Sequence, residues 1–507
     1  MDILTNLLLG LKVAGEPYNL MVAAAGLVLG VIVGVLPGLG GANGCAILIP
    51  VTFVMPPVAA VILLSSIYWG SLYGGCICSI LFNIPGEPWA VATTFDGYPM
   101  AKKGQAGRAL SAAFFAHFCG AVLGTIALTF FAPMLAAFAL RFGPPEVFGV
   151  MLLTFSAFVG LVGKSPIKTL VATAFGFMMA AVGIDIVSGE LRLTFGLTPL
   201  MGGFNFIVAV IGLFGIGEIL LTVEEGLKFE GVKVRMRWSD VAGTFTDMLR
   251  YWKVLLLGSF VGVWMGFKPG GATPASFMAY GFAKESMPAE DREQFGKGHI
   301  AGIFAPESAA HGAGTSAMIP MITLGIPGSP TAAVIMGGLM IWGLQPGPML
   351  FVDKPDFVWG LIASTWYGNL IGLFIVLAFA PAFAAVLRAP FPILMPLLIF
   401  ICAIGAYAVN NRMIDIWYMM LFGVIGWAFK KLDYNMAPML LALVLGDMAE
   451  SAMRQSLIMS QGSLLIFLHP PISLPLVLAA ALIGSWPWLA PWVRRMRGDK
   501  AGASAGH

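Results

Sequence analysis

Four Pro-Gly pairs of this 507-residue chain recur as two matched sets inside or beside apolar stretches: Pro37-Gly38 and Pro85-Gly86, then Pro269-Gly270 and Pro327-Gly328. Proline removes a backbone donor and glycine removes the side chain, so each pair interrupts a helix and frees N–H and C=O groups. Lipid tolerates such groups only where the broken backbone lines a cavity and meets a ligand, an ion or water. A freed helix N-terminus carries partial positive charge and suits a carboxylate, whereas freed carbonyls suit a cation such as Na⁺. Gly40, Asn43, Asn83, Gly271, Thr273 and Ser329 flank the breaks. Asn43, Asn83 and Ser329 invite two readings, as polar contacts for the solute or ion and as caps of the half-helices.

Ionisable residues form a second group. Glu307 lies in a small, apolar stretch, which makes it an ion or proton site by default. His311, four residues later, shares its face if the stretch is helical, and either contacts solute, relays protons or pairs with the glutamate. Glu87 and Asp96 flank the first Ile-Pro-Gly string, and Asp96 is expected as a turn former. Glu450 and Arg454 are spaced as an i,i+4 ion pair near Asp447. Glu218 must face protein rather than lipid. His117, alone in a small-residue run, is expected to be a packing histidine.

The elements that hold these residues are read from composition. Only 10% of residues are charged and 59% are apolar, with a mean hydropathy of +0.89, so lipid is the solvent for most of the chain. Runs at Leu20–Leu36, Val58–Phe82, Ala109–Phe131, Phe204–Val223, Phe357–Ala380 and Leu474–Leu489 can each cross a core about 30 Å thick. The expected fold is an all-α polytopic integral membrane protein with about 11 or 12 transmembrane helices. The opening MDILTNLLLG lacks a basic n-region, so insertion by uncleaved segments is expected. Cys45, Cys76, Cys78, Cys119 and Cys402 are odd in number, lie in apolar surroundings and read as buried small hydrophobes. No nucleic-acid partner, cofactor or resident metal is implied.

An internal repeat organises the chain. GVLPGLGGAN from Gly34 and NIPGEP from Asn83 recur as GFKPGGATP from Gly266 and GIPGSP from Gly325. The later copy is longer between its motifs by about ten residues, which the charged stretch Lys284–His299 supplies. The expected division is a first membrane repeat over 1–223, a polar cytoplasmic linker over 224–252, a second repeat with terminal helices over 253–493 and a basic cytoplasmic tail over 494–507. Lys102, Lys103 and Arg108, the linker's basic residues, and Arg494, Arg495, Arg497 and Lys500 all point to the cytoplasm. Lys102 follows the first Ile-Pro-Gly string on that side, so inverted repeats, with broken helices or re-entrant hairpins, would place Gln345–Phe351 on the periplasmic side.

The strings GVLPGLGGANGCAILIP from Gly34, NIPGEPWAVATTFDGYPMAKKGQAGRAL from Asn83 and APESAAHGAGTSAMIPMITLGIPGSP from Ala305 closely resemble the large membrane subunit of tripartite tricarboxylate transporters (TctA-type). GLFGIGEIL from Gly212 and LVLGDMAESAMRQSL from Leu443 extend the resemblance nearly to the last span. It implies a multi-pass secondary carrier of the bacterial inner membrane. Such a carrier works with a small membrane subunit (TctB-type) and a periplasmic solute-binding protein (TctC-type), importing a di- or tricarboxylate with Na⁺ or H⁺ as coupling ion. Three features depart from the family. Ala310 and His311 stand where members often carry two asparagines, the second Pro-Gly motif reads MGFKPGGATPAS, and Trp69, Trp89 and Trp342 lie near the breaks.

Two other functions compete. A channel would use symmetric breaks equally well. An intramembrane enzyme would need H-E-x-x-H, or G-x-S-x-G with a buried histidine, and the apolar segments hold neither. No G-x-x-x-x-G-K-[ST] string occurs, so direct coupling to ATP in this chain is not expected.

Overall fold

A computed structural model describes residues 3–36, 39–157, 159, 165–185, 188–225, 236–268, 270–386, 391–469 and 471–496. Pro37, Gly38, Pro269, the linker residues 226–235 and the tail from 497 therefore lie outside the described residues.

The chain opens with α1 (Ile3–Ala14), α2 (Pro17–Val35), α3 (Gly40–Thr52), α4 (Pro57–Phe82), α5 (Val91–Met100) and α6 (Ala106–Ala139). Next come α7 (Pro144–Ala157), α8 (Pro166–Ala180), the two-residue strands β1 (Gly183–Ile184) and β2 (Leu191–Arg192), α9 (Phe206–Val210) and α10 (Gly217–Glu225). The later half holds α11 (Trp238–Arg250), α12 (Trp252–Gly266), α13 (Ala272–Ser286), α14 (Ala289–Arg292), α15 (Ala301–Ser316), α16 (Met318–Leu324) and α17 (Pro330–Ile341). It closes with α18 (Leu350–Asp353), α19 (Pro355–Val386), α20 (Phe391–Asn410), α21 (Met413–Lys431), α22 (Met436–Met459) and α23 (Ser473–Met496).

The protein is an all-α polytopic membrane protein. All six long apolar runs read from the sequence are helical, and seven helices among the described residues are long and apolar enough to cross a membrane. Others are cut short by the breaks. Helix α3 has 13 residues and α17 has 12, each roughly 20 Å long against a core of about 30 Å.

The chain forms two compact units. One comprises the residues up to Leu140 with Asn205–Ala428, and the other comprises Arg141–Phe204 with the residues from Phe429 onward. Both copies of the Pro-Gly motifs lie in the first unit.

Within that unit each repeat is built on a stripe of glycines at every fourth position. In α2 a Cβ on Gly30 would fall 2.2 Å from Ile67 O, and one on Gly34 would fall 2.2 Å from Ser71 O, both on α4. In α12 a Cβ on Gly262 would fall 2.2 Å from Ala309 O, and one on Gly266 would fall 2.4 Å from Ala313 O, both on α15. The pairs α2–α4 and α12–α15 are thus equivalent crossings at backbone contact, the way small residues drive association where no hydrophobic effect acts between helices. Each stripe runs directly into a Pro-Gly break.

The insertion in the second repeat is clasped by the first. Asp96, on α5, is fully buried, and its Oδ1 accepts the backbone N–H groups of Gly296 (2.9 Å), Gly298 (2.8 Å) and His299 (2.7 Å). Its Oδ2 accepts the Tyr280 hydroxyl at 2.8 Å. Asp96 is therefore a helix residue that anchors a distant loop, not the turn former expected from its flanking sequence.

In the second unit α8 packs on α22 and α7 on α23. The expected Glu450–Arg454 ion pair is present at 2.5 Å and belongs to a ring of four charges. Arg454 also meets Asp185 (2.9 Å), and Arg192 meets Asp185 (3.3 Å) and Glu450 (2.9 Å). A cavity of about 800 Å³ lies in this unit, walled by apolar side chains such as Phe148, Phe155, Phe177 and Trp488. None of the broken segments borders it.

Candidate functional site

In both repeats the helix before the Ile-Pro-Gly string ends on a residue in the left-handed conformation. Asn83 closes α4 with φ of 59°, and Gly325 closes α16 with φ of 69°. Glycine adopts this conformation freely, and asparagine is among the few other residues that do so. The proline that follows cannot continue the helix. In the first repeat the chain then packs Gly86 so tightly that a Cβ would lie 2.7 Å from Gly34 O and 2.8 Å from Gly75 Cα. This places Glu87 over the start of α3. Its Oε1 accepts the Gly41 N–H at 2.7 Å and its Oε2 accepts Trp89 Nε1–H at 3.1 Å.

In the second repeat Ser329 caps α17, its Oγ accepting the Ala332 N–H at 3.1 Å, with Pro330 in the first turn. The two breaks of this repeat touch directly, since Gly270 donates its N–H to Gly328 O at 2.8 Å. Gly270 has φ of 71° there, a conformation a β-branched residue would resist.

The repeats meet at these same points. The Tyr68 hydroxyl of α4 lies 3.2 Å from Ser329 Oγ. A Cβ on Gly41 would lie 2.4 Å from Ser71 Oγ and 3.3 Å from Thr331 Oγ1 of α17. A continuous set of polar groups thus runs from Glu87 through Gly41, Ser71 and Thr331 to Ser329, Gly328 and Gly270.

Of the residues singled out in the sequence, Gly40, Gly86, Gly270, Gly328 and Ser329 belong to this set or border it, and Pro85 and Pro327 shape its turns. Pro37, Gly38 and Pro269 lie outside the described residues. Asn83 is an exposed helix terminator, and Thr273 is half-buried in the first turn of α13. Gly271 packs against its own repeat, where a Cβ would fall 1.8 Å from Met265 O. Asn43 is buried within α3, so it does not cap that helix. Among the residues of the set, Ser71, Tyr68 and Thr331 carry no sequence signal beyond a polar group in an apolar span.

Glu307 and His311 do share a face of α15, and both are fully buried. They are joined through a third residue. His117, on α6, places Nε2 2.7 Å from Glu307 Oε2 and Nδ1 3.2 Å from His311 Nδ1. Thr93 of α5 donates its hydroxyl to Glu307 Oε1. His117 is therefore part of a buried polar chain and not the packing histidine expected of it. The rule that marks Glu307, an ionisable group within a span, marks His117 equally.

The profile of the Tripartite tricarboxylate transporter TctA family matches residues 20–441. The chain belongs to this family. It is 36% identical over 492 residues, covering 96% of this chain and 97% of the relative, to an uncharacterised 52.8 kDa protein in the TAR-I ttuC' 3' region of Agrobacterium vitis. It is 35% identical over 227 residues, 45% of this chain and 89% of the relative, to an uncharacterised protein in the TAR-II ttuC' 3' region of the same organism. No solved structure matches it.

The match on this TctA-family chain takes in both repeats, all four Pro-Gly breaks and the Glu307 cluster. Glu218, whose span also falls within it, is 3% exposed and faces protein as expected.

Proposed function

We propose that this TctA-family chain is the translocating subunit of a secondary carrier that moves a di- or tricarboxylate, or a related organic acid, across the bacterial inner membrane. The coupling ion is Na⁺ or H⁺. A periplasmic binding protein of the TctC type delivers the solute, and a small TctB-type subunit completes the complex.

One observation carries this reading: hydrogen bonds join the described breaks within each repeat, Glu87–Gly41 and Gly270–Gly328, and the repeats meet beside them, where Gly41 faces Thr331 and Tyr68 of α4 meets Ser329. Paired interruptions that meet between two repeats make a solute site of transporter type. The chemistry suits an anion. The Gly41 N–H at the start of α3 already donates to a carboxylate, that of Glu87, as a helix N-terminus favours.

The enzyme reading has little to stand on. One G-x-S-x-G string occurs, at Gly502–Gly506, in the small-residue tail outside the described residues. The channel reading is separated by counterflow. Proteoliposomes carrying this chain, the small subunit and the binding protein are loaded with unlabelled citrate or succinate and diluted into the labelled acid. A carrier accumulates label transiently above equilibrium, whereas a channel only equilibrates it. Robust uptake by this chain without either partner would refute the tripartite assignment.

A further inference from the structure

The chain Thr93–Glu307–His117–His311 lies at full burial, apart from the groups just assigned to the solute. His311 Nε2, His117 Nε2 and Glu307 Oε2 are all buried and without a hydrogen-bond partner among the described residues, the last two standing 2.7 Å apart. Unsatisfied buried groups cost free energy, so three of them in one cluster call for a role beyond packing.

Resting on the carrier reading, we propose that Glu307, His117 and His311 form the site of the coupling ion, that this ion is H⁺, and that it is taken up at His311 Nε2 and stored on Glu307.

The protons balance. Without the coupling proton, Glu307 is a carboxylate accepting from Thr93, with His117 Nε2–H in close contact 2.7 Å from its Oε2, and His311 Nδ1–H donates to His117 Nδ1. When a proton binds His311 Nε2, the Nδ1 proton passes to His117 Nδ1 and the Nε2 proton of His117 passes to Glu307 Oε2. Donation reverses in the His117–His311 hydrogen bond and across the His117–Glu307 contact while Thr93 goes on donating to Oε1, both imidazoles end neutral, and the carboxylate becomes a neutral acid. One proton has been added and no charge remains buried, the form that a low-dielectric interior favours.

The donor set excludes the alternatives on geometry. Na⁺ is held by oxygens, whereas this cluster presents imidazole nitrogens and the Cys76 thiol to a single carboxylate and a hydroxyl. Cys76, His117 and Glu307 do bring ligand atoms within 4.8 Å of one another. At 2.7 Å, however, His117 Nε2 and Glu307 Oε2 are at hydrogen-bond distance, closer than two ligands of one tetrahedral ion at about 2 Å each would sit. The titratable groups on the helices around α15 are Tyr68, Tyr73, Cys76 and Cys78 on α4, Asp96 and Tyr98 on α5, Arg108, His117 and Cys119 on α6 and Tyr280, Lys284 and Glu285 on α13, while α12 contributes only Lys253 in its first turn.

The cluster also touches the solute groups. Trp89 donates to the Glu87 carboxylate and presents its ring edge to His117, with ring centroids 5.9 Å apart. Trp89 thus stands in contact with both Glu87 and the proton chain.

The test uses the purified full chain in lipid nanodiscs, with protons as the only ligand. Infrared difference spectra recorded as the pH is lowered are expected to show the C=O band of a buried protonated carboxyl, lost in Glu307→Gln. His311→Asn, which places the family's frequent residue at that position, is expected to slow the band's appearance after a pH jump about tenfold or more, as loss of a positioned proton carrier does. A band that persists in Glu307→Gln overturns the proposal, and so does an unchanged rate in His311→Asn. A stoichiometric metal in the wild-type protein that disappears in His117→Asn also overturns it, in favour of a metal site. None of these readings depends on knowing the solute, so absence of counterflow by the wild type with every di- and tricarboxylate tried would sink the carrier reading and leave the proton result standing.

Discussion

The hydroxyl of Tyr68, on α4 of the first repeat, lies 3.2 Å from that of Ser329, 261 residues later at the last break of the second repeat. Ser329 also caps α17, so one side chain ties a helix N-terminus to the opposite repeat. Tyr68→Phe removes the link and leaves the cap. A neutral hydrogen bond contributes about 1 kcal/mol, so the expected result is a roughly fivefold weaker apparent affinity for the transported acid at unchanged membrane abundance. Ser329→Ala loses the cap as well, at about 0.5–2 kcal/mol, and should also lower the melting temperature. Equal affinity in wild type and Tyr68→Phe would remove this contact from the solute site.

The glycines of the breaks serve different ends. Gly270 is needed for its backbone conformation. Gly86 and Gly328 are needed for space, since a Cβ on Gly328 would fall 2.8 Å from Gly266 O and from Ala317 Cβ. Gly86→Ala and Gly328→Ala are therefore expected to destabilise the fold by about 1–3 kcal/mol through overpacking. Gly281 serves as the control, because a Cβ there meets nothing within 4 Å. Thermal unfolding in detergent that ranks Gly86→Ala with Gly281→Ala would contradict this account.

Much of this was legible before any coordinates. The repeated Pro-Gly pairs located the breaks, and a charge inside an apolar stretch located Glu307, because lipid makes both costly unless they serve a purpose. What the sequence hid were partners that only packing creates. His117 reaches Glu307 because α6 lies on α15 at backbone contact, where a Cβ on Gly120 would fall 2.0 Å from Ser308 O. Glu87 reaches Gly41 because two tight turns bring segments 46 residues apart together. Asp96 read as a turn former because its partners, Gly296 to His299, lie in the insertion that the first repeat lacks.

The inverted-repeat proposal places Lys102 and Gln345 on opposite sides of the membrane. Both are exposed, and four of the five native cysteines are buried, leaving only Cys119 partly accessible. In a Cys119→Ser background, Lys102→Cys should react with an impermeant maleimide only in inside-out vesicles, and Gln345→Cys only in right-side-out vesicles. Labelling of both from one side would exclude inversion of the two repeats.

The loop held by Asp96 should loosen in acid, and His299 is the reason. Its ring stacks on Phe295, with centroids 5.0 Å apart, and meets Tyr251 edge-on at 5.6 Å. Burial there holds its pKa below the usual histidine value, against the opposing pull of Asp291 and Asp96 and with a smaller push from Arg250. The sign follows from proton linkage. A released histidine takes up a proton near pH 6.5, the enclosed one only at lower pH, so opening the loop binds protons in that interval. The stability this site contributes is complete above about pH 6.5 and is lost as the pH falls below it. Amide hydrogen exchange over residues 293–300, corrected for the intrinsic pH dependence, should therefore accelerate below about pH 6.5 in the wild type. In His299→Gln the acceleration should vanish. In Asp96→Ala, where the N–H groups of Gly296, Gly298 and His299 lose their shared acceptor, exchange should be fast at every pH. Protection that is independent of pH in the wild type would show that the His299 ring does not set the strength of this clasp.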